Sequence, residues 1–286
     1  MSAQRAMRID GNTKVIAHMG YPTHGFKAPL IYNPYFVAEQ IPAVVVPLGC
    51  TSDAFPDLLN SFFKSSNALG ALITMPHKVA VMSHLDEISI TAKIAGACNA
   101  VKKNADGKLV GDMFDGQGFI LGLQNQGFEF KDRSALVVGN GGVGSAIAAS
   151  LAEAGIHHLR LFDLNSNLTE SLAKRLSAHY PDMKLELGIG DPTGMDLAIN
   201  ATPLGMNDSD PLPMDVSNLS SSTYVGEVVM SKHITPFLKE AQDRGCPIQV
   251  GTDMLFEMIP AYLRFFELQT TTAQRLRSLA QIELTP

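Results

Sequence analysis

Cysteine is scarce in this chain, charge is modest, and no long apolar run occurs. Three of the 286 residues are cysteine: Cys50, Cys98 and Cys246, scattered without C-x-x-C or other metal-ligand spacing. An odd, dispersed set fits a reducing compartment and argues against a disulfide scaffold or a cysteine metal site. Charged residues make up 17%, the net charge is -6, and no stripe of Lys and Arg stands out. That balance argues against nucleic acid or an anionic membrane as partner. No apolar stretch approaches a membrane span. The opening residues Met1 to Arg5 lead into polar sequence without the apolar segment of a secretory signal. A soluble, cytoplasmic protein is the expectation. What the chain does have is 45% hydrophobic residues, enough for a sizeable core and for one large or two medium domains.

Strand-like and helix-like segments alternate throughout. Val15–His18, Ala43–Leu48 and Ala71–Thr74 are short β-rich runs, with helical stretches at Pro29–Glu39 and Phe55–Ser65 between them. A helix is expected from Asp86 through Ile94. Two strands, Asn99–Lys102 and Lys108–Gly111, flank an Asp106-Gly107 hairpin turn, and a helix follows from Gly116 to about Gln126. A fresh series then begins. Its strands are Ala135–Val138, His158–Phe162, Leu197–Asn200 and Tyr224–Val229. Its helices are Gly142–Ala154, closed by Gly155, then Thr169–His179, Pro236–Arg244, and Leu255 to about Leu284 with a break near Pro260. The pattern predicts two α/β domains with parallel sheets.

Val138 is followed by Gly139-Asn140-Gly141-Gly142-Val143-Gly144, a G-x-G-x-x-G that leaves a strand and opens a helix, with Asp163 ending the next strand. This is the setting of a dinucleotide-binding loop. Gly139 allows the tight turn, Gly141 lets the backbone approach a pyrophosphate, and Gly144 allows close helix–strand packing. The helix N-terminus directs partial positive charge at the phosphates. Asp163 is placed to accept from ribose hydroxyls and to repel a 2′-phosphate, and Leu164-Asn165-Ser166-Asn167 offers no Lys or Arg to hold one. NAD is therefore favoured over NADP. A bland reading stands beside this one, in which Asp163 is simply a turn residue.

Ahead of this loop, Ala71-Leu72-Ile73-Thr74 ends at Met75-Pro76-His77 and then presents Lys78. A lysine at a strand end can be an ordinary surface charge. Asn99 and Asp115, each near the end of a later strand-like segment, make it a catalytic candidate, although both can also serve as loop residues capping local backbone.

Taken in order, Gly70–Lys78, Gly96-Ala97-Cys98-Asn99-Ala100, Gly111–Gly116, the Gly139–Gly144 loop, Asn200–Met206, Ile234-Thr235-Pro236 and Gly251–Leu255 resemble the shikimate/quinate dehydrogenase family over nearly the whole chain. The resemblance implies an N-terminal substrate-binding and catalytic domain of residues 1–114 and 252–286, with the C-terminal helices returning to it. It implies a Rossmann-type dinucleotide-binding domain of residues 115–251. It implies reversible hydride transfer between a nicotinamide and a ring carbinol. Lys78 and Asp115 would be the catalytic pair, Asn99 and Thr74 would contact the substrate, and Asn200, Thr202, Pro203, Met206 and Gly251 would join the Gly-rich loop in binding the cofactor. An amine within reach of the hydroxyl can take and return its proton.

The acid-binding end departs from the family pattern. Where the family has two serines, this sequence has Phe26 and Ala28; a Tyr position holds Met230, and a Gln position holds Met258. Two lost hydrogen bonds to a charged group amount to several orders of magnitude in affinity. Thr23, His24 and Lys27 lie in the same loop and are candidate replacements. His24 reads equally as a structural histidine, and the Met and Phe changes equally as packing. The leading expectation is an NAD-dependent dehydrogenase of shikimate-like cyclic polyol acids, as a monomer or homodimer. A quinate or related cyclic alcohol dehydrogenase, and a non-catalytic ligand-binding regulatory paralogue, are the alternatives.

Overall fold

The computed structural model describes residues 9–207 and 209–282. The chain divides into two compact units. Of the described residues, one unit holds 9–92, Ala97–Phe114 and 259–282; the other holds Lys93–Gly96 and the described part of Asp115–Met258. Among the described residues no helix is long and apolar enough to cross a membrane.

The first unit is built on strands β1 (Lys14–Gly20), β2 (Ala43–Gly49), β3 (Ala68–Ile73), β4 (Glu87–Ile88), β5 (Ala100–Lys103) and β6 (Leu109–Asp112), in the order β2-β1-β3-β5-β6-β4. The expectation of a parallel sheet fails here. β1, β2 and β3 are parallel, but β5 runs antiparallel to both β3 and β6. The reason is the tight turn joining β5 to β6, in which the Gly107 N–H bonds the Asn104 carbonyl and Gly107 has φ of 80°. A hairpin cannot pair parallel.

The helix expected from Asp86 is also corrected. Asp86 and Ser89 donate their N–H groups to Leu109 and Gly111, which draws Glu87–Ile88 into the sheet as β4. Ser89 then accepts the Ala92 N–H on its hydroxyl and starts α3 (Ile90–Ala95). Helices α1 (Pro29–Ala38) and α2 (Phe55–Phe62) lie where the apolar spacing put them.

The second unit carries β7 (Ser134–Val138), β8 (His158–Phe162), β9 (Lys184–Leu187), β10 (Leu197–Asn200), β11 (Tyr224–Glu227) and β12 (Ile248–Gln249). They form one wholly parallel sheet in the order β12-β11-β10-β7-β8-β9. Ala135, Leu136, Val137, Leu197, Ala198 and Ile199 are fully buried, as strands covered on both faces require. α4 (Asp115–Asn125), α5 (Gly142–Glu153), α6 (Ser166–His179) and α7 (Pro236–Asp243) belong to this unit. The strand order reverses between β7 and β10, which makes their carboxyl ends the topological switch point where α/β sheets bind ligands.

α8 (Gly251–Phe265) runs through Pro260 without the expected break. The chain turns later, where Glu267 adopts φ of 59° and the Leu268 N–H bonds the Leu263 carbonyl. Thr272 caps a separate α9 (Ala273–Leu279), which lies on α1 with Arg275 paired to Glu39 at 2.9 Å. A proline inside a helix removes one backbone bond; here that loss does not end the helix. The expected end at Leu284 lies outside the described residues.

Candidate active site

In the first unit, β1 and β3 end side by side and their loops are bonded together. The Thr74 N–H donates to the Met19 carbonyl and the Tyr21 N–H to the Met75 carbonyl, each at 2.9 Å. The Tyr21-Pro22 and Met75-Pro76 peptides are both cis. His77 anchors the second loop. It is fully buried, lies flat on Phe55 with ring centroids 4.2 Å apart, and its Nε2 is 3.0 Å from the Cys50 carbonyl. Lys78 follows, half-buried, and its carbonyl accepts the Cys98 N–H at 2.8 Å. The next residue, Asn99, is buried; its Oδ1 accepts the Phe114 N–H at 3.0 Å. Phe114 is followed by Asp115, also buried, which opens α4. Within the first unit the two bonds tie the Lys78 backbone to Cys98 and the Asn99 side chain to Phe114.

The acid-binding candidates are placed unequally. Thr74 and Phe26 converge on Gly20: a Cβ there would meet the Thr74 methyl at 2.4 Å and the Phe26 ring at 2.9 Å. Glycine is the residue this contact permits. Thr23 turns its methyl toward Gly49, and His24 is exposed in the short turn Thr23–Gly25. Ala28 is buried at the start of α1, its carbonyl accepting the Ile31 and Tyr32 N–H groups. Met258 lies on α8, with its Cβ 2.7 Å from where a Cβ of Gly118 would stand. The structure adds a residue the sequence reading passed over. His18 on β1 stacks on Phe26 with centroids 4.0 Å apart, and its Nδ1 is buried without a partner. Its one signal was a lone polar residue within an apolar strand.

The second unit builds the cofactor loop at the switch point. Gly139 has φ of 93°, and a Cβ on it would lie 2.8 Å from the Ala201 backbone. Gly144 presses on the Gly139 carbonyl, which a Cβ would meet at 1.8 Å. Gly141 is different: it caps α5 with no side-chain bond, and nothing lies within 4 Å of where its Cβ would be. A backbone open on that side at a helix N-terminus suits a pyrophosphate. Asn140 faces the interior of the second unit. Its side chain is buried, with Oδ1 accepting from Thr169 at 2.8 Å, and Asn140 braces the loop through its carbonyl to Ser145. Asp163 accepts the Asn140 N–H at 2.7 Å on one oxygen and the Asn165 N–H at 2.8 Å on the other. It is thus a turn residue, and each oxygen keeps a second lone pair for a ribose hydroxyl.

At the end of β10, buried Asn200 accepts from the Thr202 N–H and hydroxyl and donates to the Leu204 carbonyl, which shapes the Thr202–Met206 loop; Pro203 and Met206 are exposed. Beneath it sits Glu227, fully buried, with Oε2 accepting from Thr235 at 2.9 Å and Oε1 unpartnered. Gly251 opens α8 against the Val229 carbonyl, which a Cβ would meet at 2.1 Å. Gly251 and Asn200 therefore act on the backbone, while the open Gly141 edge and Asp163 are the parts of this set that fit a dinucleotide directly.

The comparisons with known proteins agree with this architecture. Residues 19–101 match the shikimate dehydrogenase substrate binding domain. The shikimate dehydrogenase (NADP(+)) of Rubrobacter xylanophilus is 34% identical over 258 residues, covering 87% of this chain and 88% of that protein. The quinate dehydrogenase from Corynebacterium glutamicum, solved in complex with NAD, superposes with a TM-score of 0.84 at 28% identity, over 93% of this chain and 98% of that one. The fold is shared with shikimate 5-dehydrogenase from Listeria monocytogenes, solved with shikimate and NAD, at a TM-score of 0.88 and 22% identity over 96% and 99% of the two chains. The chain belongs to the shikimate dehydrogenase family.

Proposed function

We propose that the protein transfers a hydride reversibly between a nicotinamide cofactor and a ring hydroxyl of shikimate or a similar cyclic polyol acid. The observation that carries this reading is the pair of anchoring bonds, Lys78 carbonyl to Cys98 and Asn99 to Phe114. They support the reading by tying the Lys78 backbone to Cys98, the neighbour of Asn99, and the Asn99 side chain to Phe114, the neighbour of Asp115. The substrate-binding role falls to residues 1–114 and 252–286, and the dinucleotide role to 115–251. The backbone from Gly139 to Gly144, Asp163, and the Thr202–Met206 loop hold the cofactor, which supplies the hydride acceptor in oxidation and the donor in reduction. Lys78 takes the hydroxyl proton as the carbinol is oxidised and returns it in reduction. Asp115 orients Lys78 and accepts from the substrate hydroxyl, and Asn99 positions the ring.

NAD is the preferred cofactor in this reading. Asp163 and the lack of Lys or Arg among residues 164–167 support it, although the Rubrobacter relative is named for NADP(+). Phe26 and Ala28 at the acid end favour a second substrate, quinate or a related cyclic alcohol, over strict shikimate specificity. The scattered free cysteines support a cytoplasmic setting, and sizing chromatography separates monomer from homodimer. The test is turnover of shikimate and quinate with NAD and with NADP, for the wild type and for Lys78→Ala. The reading requires wild-type turnover that the variant lacks, and a higher kcat/KM with NAD.

A further inference from the structure

On β1, Ala17 and Met19 enter the apolar core with Phe55 and Leu59. Side chains alternate along a strand, so His18 belongs to the opposite face, with Ile16 and Gly20. That is the face on which Phe26 and Thr74 close over Gly20. The His18 ring lies on Phe26 at 4.0 Å and 27°. Its Nδ1 is buried and makes no hydrogen bond. Leaving a polar nitrogen buried and unmet costs free energy, and most such groups have a partner. A second anchor in the same unit is Lys78, whose charge acts on the imidazole.

We propose that His18 is a substrate-binding residue, its imidazole hydrogen-bonding an oxygen of the cyclic polyol at the end where Phe26 and Ala28 stand. This rests on the proposed dehydrogenase reading and assigns a specificity residue to the same site. Phe26 brings no hydroxyl to that end, and its ring instead fixes the imidazole plane, so recognition passes from residue 26 to residue 18. Burial, aided by Lys78, brings the His18 pKa down to about 4. The ring is therefore uncharged near neutrality, donating from one nitrogen and accepting at the other. It offers a hydroxyl or carboxylate oxygen a directional bond and no counter-charge.

The test compares steady-state kinetics of the wild type, His18→Leu and His18→Gln on whichever of shikimate and quinate the wild type turns over, with nucleotide saturating. A neutral hydrogen bond corresponds to roughly a 2- to 13-fold effect. The polyol KM is expected to rise about tenfold in the Leu variant, with kcat within about twofold and the nucleotide KM unchanged, and to return most of the way in the Gln variant. Should the Leu variant fail to fold, imidazole ¹⁵N NMR of the wild type with NAD carries the test. Adding the polyol is expected to shift the His18 Nδ1 resonance. An unaltered polyol KM in the Leu variant, equal losses in Leu and Gln, or a static Nδ1 resonance overturns the assignment of His18 while leaving the dehydrogenase reading intact. Absence of wild-type turnover with either acid overturns both.

Discussion

Replacing Glu227 with glutamine should make the protein more resistant to alkaline pH, by an amount that can be worked out. Glu227 is fully buried at the end of β11. Burial pushes its carboxyl up from 4.5 to about 7, against the bonds from Thr235 and Asn200 that pull it down. The folded state therefore binds this proton more tightly than the unfolded chain. The stability it gives is complete below pH 4.5 and is lost as pH rises through 7. At roughly 1.4 kcal/mol per tenfold difference in proton affinity, the change is about 3 kcal/mol. Glutamine keeps the shape and cannot ionise. The stability of Glu227→Gln relative to wild type should rise by about 3 kcal/mol between pH 4 and pH 9, most steeply between about pH 5 and 7. Urea unfolding followed by far-ultraviolet circular dichroism at each pH measures this difference, and titrations common to both proteins cancel. A difference that stays flat with pH, or slopes the other way, means that Glu227 does not hold its proton more tightly in the folded state.

Three further outcomes are expected. Lys78→Ala should lower kcat by about 10²–10⁴-fold and leave the melting temperature within a few degrees, because the loop is held by His77 and by the Lys78 backbone; stopped-assay rates and a thermal melt check both halves. Gly144→Ala forces a methyl group against the Gly139 carbonyl, so it should cost about 1–3 kcal/mol of stability and weaken nucleotide binding, read by urea titration and calorimetry. Asn99→Ala leaves the Phe114 N–H without its acceptor; a stability loss of about 1–3 kcal/mol together with a raised polyol KM is expected, and a change in only one of the two separates its scaffold role from its ligand role.

The cofactor half of the fold was readable because its physics is local. G-x-G-x-x-G demands a positive φ at Gly139 and a bare Cα at Gly144, and the strand before and helix after are strongly patterned. Asp163 was found by its spacing, but its service to the Asn140 N–H is a tertiary fact. β9 and β12 escaped notice because four and two residues carry too little periodicity. The Asp86–Ser89 stretch reads as helix because the pairing of β4 with β6 is decided across the sheet and not within it. Pro260 misled because its effect on α8 depends on packing, while the real stop lies at Glu267. At the site, Lys78, Asn99 and Asp115 were legible as residue types at strand ends. His18 was not, since a histidine inside an apolar strand looks like core until Phe26 is found on it. Burial of the Glu227 carboxylate is decided by packing around β11 and has no signature in the sequence.

Whether Lys78 serves hydride transfer is decided by following the reduced nicotinamide spectroscopically while purified wild type and Lys78→Ala are each mixed with NAD and shikimate or quinate. The wild type is expected to reduce NAD with at least one of the two acids, and a folded Lys78→Ala protein to lose that rate by about a hundredfold or more. Undiminished turnover in the variant, or none in the wild type with NAD and either acid, overturns the role given to Lys78.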